Sequence, residues 1–288
     1  MDLAAVVLIQ VLYAVASLVI VSAGLAVIFG MMKVINLAHG EFMMLGAYAT
    51  ITAHGLGLNL WLAMFIVAPV AVGLIGVVLE RLVIRRLYGH MVDTMLATWG
   101  LSLLLVGVVT SIAGNTTAGV SAPLGSFRIG AYSVSGYTLV IIAVAVVLAF
   151  AIRWVLLRTS WGLIARGTMQ KPEMADALGI SPSRVYSVTF AVGAALSGLA
   201  GALLAPLTGV VPTMGGAFIA KAFITVIGGG PAILAGLVSA SSLFGAINQV
   251  ATFVTTPVFG EVALLFAAIV MLRLLPQGIT GRFFKGSL

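Results

Sequence analysis

Two long stretches without a charged side chain constrain this chain more than any other feature. Residues 3–32 are thirty positions with no Asp, Glu, Lys or Arg, and residues 222–260 are thirty-nine. About 20 predominantly apolar residues suffice for a helix to cross the roughly 30 Å hydrocarbon core of a bilayer. An ordinary soluble domain carries about 25% charged residues. Here only 7% of residues are charged and 62% are hydrophobic, with mean hydropathy +1.25. Most of the surface therefore cannot face water. The chain reads as an all-α polytopic integral membrane protein, which excludes a soluble enzyme and a nucleic-acid binder.

Charge-free runs place spans near 8–30, 41–56, 59–80, 94–113, 136–156, 185–207, 217–228, 232–252 and 261–275. The second and seventh are short for a full crossing, so eight to ten transmembrane helices are expected, some of them short or broken. A β-barrel would alternate polarity along strands of about ten residues, and these runs are continuously apolar. No loop is long enough to bury a core of its own, so residues 1–288 read as a single transmembrane domain. The N-terminal apolar stretch is too long for a cleavable signal and follows an Asp rather than a basic cluster. The 34 glycines exceed the roughly 7% norm and suit helices packed backbone to backbone in lipid. No cysteine is present, which removes disulfides, thiolate metal sites and cysteine nucleophiles.

Fourteen basic against seven acidic residues give a net charge of +7. On this span list Lys33, Arg81, Arg85, Arg86, Arg153, Arg158, Arg166, Lys171, Arg184, Arg273, Arg282 and Lys285 fall on one side, and Arg128 and Lys221 fall elsewhere. The positive-inside rule makes the first group cytoplasmic, with the N-terminus outside and the C-terminus in the cytoplasm.

Residues 153–184 form the longest polar segment, with five basic and two acidic residues. Within it Pro172 suits a first helical position, Glu173 and Asp176 the first turns, and Gly179 the stop. Ser181-Pro182 then starts the next helix. The spacing predicts a short helix over 172–178 with Met174, Ala175 and Leu178 on one side. A helix of that length needs something to pack against: the membrane surface, its own bundle, or a cytoplasmic partner.

Lys33, Asn36, His39 and Glu41 interrupt two apolar runs. A charge at mid-bilayer costs about 2.5–3.5 kcal/mol on insertion scales, so these groups sit at an edge or line an enclosed cavity. In the second half Lys221 lies in a short segment that ends at Gly228-Gly229-Gly230-Pro231. Short, Gly/Pro-broken segments in both halves of a chain point to a transport path. The candidate path residues are Asn36, His39, Glu41 and Lys221, although Lys221 also suits a snorkelling position. Gly193, Ser197, Gly201 and Ala205 recur every four residues and predict close packing within the chain. No G-x-x-x-x-G-K-[ST], H-E-x-x-H or G-x-S-x-G motif occurs, and His39, His54 and His90 lack ligand spacing. Nothing in the sequence recommends an enzyme.

The run from Gly24 to Gly30, continued by Lys33-Val34-Ile35-Asn36-Leu37-Ala38-His39-Gly40-Glu41-Phe42-Met43-Met44-Leu45-Gly46-Ala47-Tyr48, resembles the permease subunits of branched-chain amino-acid ABC importers. It is most similar to the first of their two paired permeases. Met169 to Ile180, Thr189-Phe190, Gly198-Leu199-Ala200-Gly201 and the ending Pro276-Gln277-Gly278-Ile279 resemble the same family, so the likeness runs from about residue 20 to the C-terminus. It departs at Lys33, where the family often has Arg, at Leu37, where it often has Phe, and at Gly228-Gly229-Gly230-Pro231. Residues 80–89 and 96–100 look closer to importers of urea and short amides, which leaves those substrates as an alternative to branched-chain or hydrophobic amino acids.

The resemblance implies a multi-pass subunit of a bacterial-type cytoplasmic membrane that forms half of the translocation pathway. It further implies a second homologous permease, two ATPase subunits that carry Mg-ATP, and an extracytoplasmic binding protein, with no cofactor on this chain. Gln170, Lys171, Pro172, Glu173, Met174, Ala175, Asp176, Leu178 and Gly179 would then be the residues that couple to an ATPase. The competing reading is a stand-alone channel or ion-coupled carrier, motivated by His39, Glu41 and Lys221.

Overall fold

A computed structural model describes residues 2–283, with side chains through Gly281; Lys285 and the Arg282 side chain lie outside the described residues. The first half contains α1 (Asp2–Met32), α2 (His39–Gly55), α3 (Leu60–Leu62), α4 (Ala68–Leu82) and α5 (Met91–Ala113). A π turn, Ala63–Val67, joins α3 to α4 without a break, and a 3-10 turn, Ile84–Leu87, follows α4. A two-stranded antiparallel hairpin comes next, β1 (Ser126–Ile129) and β2 (Tyr132–Ser135), in register from Ser126 opposite Ser135 to Ile129 opposite Tyr132. Then follow α6 (Gly136–Arg158), α7 (Ser160–Gln170), α8 (Pro172–Ala177) and α9 (Pro182–Thr208). The chain continues through α10 (Gly215–Gly229), α11 (Ile233–Val254), α12 (Pro257–Leu274) and α13 (Gly278–Phe283).

Among the described residues, seven helical stretches are long and apolar enough to cross a bilayer: Asp2–Met32, Leu60–Leu82, Met91–Ala113, Gly136–Arg158, Pro182–Thr208, Ile233–Val254 and Pro257–Gly281. Helices α2 and α10, of 17 and 15 residues, span about 26 and 22 Å at 1.5 Å per residue, short of a full crossing. The nine predicted segments are thus all helical, seven of them full-length. The protein is a multi-pass membrane protein. The hairpin and α7 have no counterpart in the sequence reading. Both lie in polar connections, where hydropathy carries no signal.

Two compact units emerge. One comprises Ala23–Ser121 and Ile152–Ala220, and α9 is its axis. Buried positions make up 67% of the spanning window of α9, against at most 33% in any other span. Its small-residue stripe is where neighbouring backbones touch. A Cβ on Gly201 would strike the Met43 carbonyl of α2, and one on Gly46 would strike the Gly198 carbonyl. A Cβ on Gly24 would meet the carbonyl of Gly193 and the hydroxyl of Ser197. In lipid, apolar surface gains little from meeting apolar surface, so such close backbone packing holds helices together. The expected packing role of the stripe is therefore what the structure has. Phe42 and Phe190, both fully buried, add an edge-to-face contact at 5.9 Å between ring centroids.

The other unit comprises the chain through Ser22, Ala122–Ala151 and the chain from Lys221 onward. Leu18, Ala240, Phe244, Leu264, Ala268 and Met271 form its apolar cluster. The break after α10 is built by Gly230, at φ +86°, a conformation open to glycine without strain. Thr280 of α13 ties that break down: its hydroxyl donates to the Gly229 carbonyl at 2.6 Å and accepts from the Ala232 amide at 3.2 Å.

Candidate functional site

Between α1 and α2 the chain leaves helical geometry for residues 33–38, beginning with Lys33 at φ +56°. Non-helical backbone at membrane depth survives only where protein satisfies its polar groups. Here Thr98 of α5, fully buried, accepts from the Leu37 amide at 3.1 Å and lies 3.2 Å from the Ile35 carbonyl. The Asn36 side-chain oxygen accepts from the Ala38 amide at 3.1 Å. Thr98 entered the sequence reading only within the resemblance of residues 96–100 and not as a candidate path residue, because one Thr in an apolar helix carries no pattern.

The structure gathers Asn36, His39 and Glu41 around this break. Ser197 of α9 donates to the Gly193 carbonyl at 2.8 Å and lies 3.0 Å from His39 Nδ1. Glu41 Oε1 accepts from Ser102 Oγ at 2.6 Å. Its second oxygen, Oε2, and the Asn36 Nδ2 are buried with no partner among the described residues. Lys221 belongs to the other unit. It bonds Glu261 of α12 at 2.6 Å in a largely exposed pair, an arrangement worth about 0–1 kcal/mol. Asn36, His39 and Glu41 are therefore all buried in the unit built on α9, each with its own neighbours, and Lys221 is an ion-pair partner in a separate unit. Among the described residues no group of three or more His, Asp or Glu is placed to hold a metal ion.

The long polar connection folds into two helices. Thr159 caps α7, its Oγ1 accepting from the Gly162 amide at 3.0 Å. A Cβ on Gly162 would collide with the carbonyls of Val155 and Leu156, so α7 is pressed against the end of α6. The chain then turns through Lys171 into the predicted short helix, observed as Pro172–Ala177 with Leu178 at its C-cap. Gly179, at φ +83°, ends it, and the Ile180 amide returns to the Ala175 carbonyl at 3.0 Å. Ala175 turns inward and is buried, so it does not share a face with Met174 and Leu178 as its spacing had suggested. Met174 and Leu178 are 57% and 74% exposed. Gln170, Lys171, Pro172, Glu173, Met174 and Ala177 line a shallow open pocket beside them.

A polar knot that the sequence reading missed lies near the start of α9. Glu80, at the end of α4, is 0% exposed. Its Oε1 accepts from Tyr88 Oη at 2.5 Å and from Arg85 Nε at 3.4 Å, and its Oε2 accepts from Ser187 Oγ at 2.5 Å. Arg85 also donates to Ser187 Oγ at 2.7 Å. Burial first, and then the bond to Glu80, push the Tyr88 hydroxyl well above the ordinary tyrosine range. The carboxylate thus fastens α4, the segment after it and α9 together. A conventional signal existed in the intramembrane Glu80 itself, but its partners lie up to 107 residues away.

The model of the family described as branched-chain amino acid transport system, permease component, matches residues 7–275. The chain is 26% identical to the "Probable branched-chain amino acid transport permease protein LivH" of Methanocaldococcus jannaschii, over 93% of this chain and 90% of the relative. It is 26% identical to the "High-affinity branched-chain amino acid transport system permease protein BraD" of Pseudomonas aeruginosa, over 91% of each chain. Identity to the corresponding LivH protein of Escherichia coli K12 is 27%, again over 91% of each. No solved structure matches.

Proposed function

This chain belongs to the family of branched-chain amino acid transport system permease components, and from that premise we propose that it is the membrane subunit of an ATP-driven importer for branched-chain amino acids. It forms half of the translocation pathway and pairs with a second, homologous permease. Two cytoplasmic ATPase subunits hydrolyse ATP, and an extracytoplasmic binding protein delivers the substrate. The relatives reported above are named for branched-chain amino acids, which favours that substrate over urea or short amides and over a stand-alone channel. The positive-inside distribution supports an N-terminus outside and a C-terminus in the cytoplasm, with the protein in the cytoplasmic membrane.

The observation that carries the reading is α8. It is a six-residue helix, too short to stand alone in water, held at both ends and presenting Met174 and Leu178 outward. We assign it, with Gln170, Lys171, Pro172, Glu173, Asp176 and Gly179 around it, to a groove of an ATPase subunit. Buried Ala175 supports the helix from beneath. ATP-driven closure of the ATPases would move α8 and rock the helices it adjoins between outward-open and inward-open states.

Because the chain contains no cysteine, Met174→Cys introduces a single reactive site. Labelled with a maleimide photocross-linker in the assembled complex, it is expected to give an adduct with an ATPase subunit. A control label at exposed Leu104 of α5 is expected to give none. No ATPase adduct from position 174 would defeat the assignment.

A further inference from the structure

Within the unit built on α9, the buried side-chain oxygens without a partner among the described residues are those of Tyr48, Thr168 and Glu41, and only the last belongs to a carboxylate. Glu41 is 6% exposed and its Oε1 is satisfied by Ser102, but Oε2 meets no hydrogen-bond partner among the described residues. A carboxylate oxygen left unpaired in a water-poor interior is costly, and intramembrane ionisable groups mark substrate or ion pathways. Three features define its surroundings. Oε2 lies against Gly215, the first residue of α10, in the space a Cβ there would take. Gly216 is exposed, with nothing within 4 Å of where its Cβ would stand. Ser102 is half-buried. The carboxylate therefore sits among buried apolar residues of the unit, including Phe42, Leu101 and Met214, with the exposed start of α10 one residue beyond Gly215. The N-terminal end of α10 and the Ser102 hydroxyl both favour negative charge there.

We propose that Glu41 Oε2 receives the α-ammonium group of the amino acid in transit. The proposal rests on the permease reading and names the part of the substrate that this carboxylate recognises. A primary ammonium, admitted when the helices part, offers charge-assisted donors to an oxygen that is buried and without a donor among the described residues. Asn36, five residues earlier and fully buried, carries the unpaired donor Nδ2. The stretch thus offers one acceptor and one donor, matching in sign the two ends of a zwitterion.

The test uses the assembled permease–ATPase complex without the binding protein, so that selection by that protein does not enter. Equilibrium dialysis measures retention of radiolabelled leucine and of 4-methyl-2-oxopentanoate, which keeps the leucine side chain and carboxylate but lacks the ammonium. The unmodified complex is expected to hold leucine about tenfold or more over the oxo acid. Glu41→Gln is expected to bring leucine down to the oxo-acid level, and Glu41→Asp, which keeps the charge, to retain a preference for leucine. Equal retention of the two probes by the unmodified complex would overturn the proposal. Unchanged leucine retention in Glu41→Gln, or indistinguishable behaviour of the Gln and Asp variants, would do the same. Loss of the second permease from the Glu41→Gln complex would assign Glu41 to the contact between subunits and also overturn it. Failure of the permease reading is seen separately, as absence of ATP-dependent leucine uptake by the unmodified complex in vesicles.

Discussion

Glu80 illustrates how a single carboxylate can organise a membrane protein. Removing it by Glu80→Ala strands the hydroxyl of Tyr88, takes the acceptor from Ser187, which keeps only the Arg85 donor, and leaves Arg85 without its anion. A buried hydroxyl without a partner costs about 1–3 kcal/mol, so the variant should show a clearly lowered thermal midpoint in detergent. Glu80→Gln keeps the shape and an acceptor and should lose less; equal losses would mean that charge rather than shape matters at this position. The proton on Tyr88 has a defined pH signature. The folded protein holds it more tightly than the unfolded chain does, so its contribution to stability is complete below about pH 10, the ordinary tyrosine value, and is lost only at higher pH. The difference in midpoint between the unmodified protein and Tyr88→Phe should accordingly stay constant from pH 6 to about pH 9. A difference that shrinks across that window would show that Tyr88 ionises there. None of this was legible in the sequence beyond Glu80 as an unusual charge, since hydrogen bonds between residues 80, 88 and 187 have no local pattern.

At the scale of elements, legibility follows the physics of each signal. The spans were readable because lipid demands continuous apolarity, and the stripe of Gly193, Ser197, Gly201 and Ala205 because close helix contact demands small residues at fixed spacing. Gly201→Leu should force α9 away from the Met43 carbonyl of α2. The expected cost is about 1–3 kcal/mol or more, read as loss of monodisperse protein on size-exclusion in detergent; normal yield and midpoint would contradict the contact. The start and stop of α8 were readable from Pro172 and Gly179, whereas its inward face was not: with fewer than two turns, which side turns inward depends on the tertiary setting of Ala175. Met174→Arg and Leu178→Asp alter only exposed positions and should leave the membrane fold intact. Substitution at a central contact residue commonly costs 2 kcal/mol or more, so uptake should fall about tenfold or more while ATP hydrolysis becomes independent of the loaded binding protein. Normal uptake by both variants would show that α8 does not couple. The helix α7 and the hairpin were illegible for a different reason, since both are short, polar and defined by caps and turns rather than by hydropathy.

Across the whole molecule, the few charges divide by role. Seven of the twenty-one lie in residues 153–184 around α8, Glu80 fastens helices, Glu41 is buried against Ser102, and Lys221 is held by Glu261. The sequence placed Asn36, His39, Glu41 and Lys221 in one candidate set because all are polar groups in apolar surroundings. Only three-dimensional packing assigns the first three to one unit and Lys221 to the other. A chain organised in this way, with an outward helix for a partner and no nucleotide motif of its own, should be incapable of transport in isolation. The direct measurement is radiolabelled leucine uptake into proteoliposomes that contain this chain, its paired permease, the two ATPases and the binding protein. Accumulation that requires ATP and every one of these subunits is the predicted result; uptake by this chain alone, without ATP, would contradict the account.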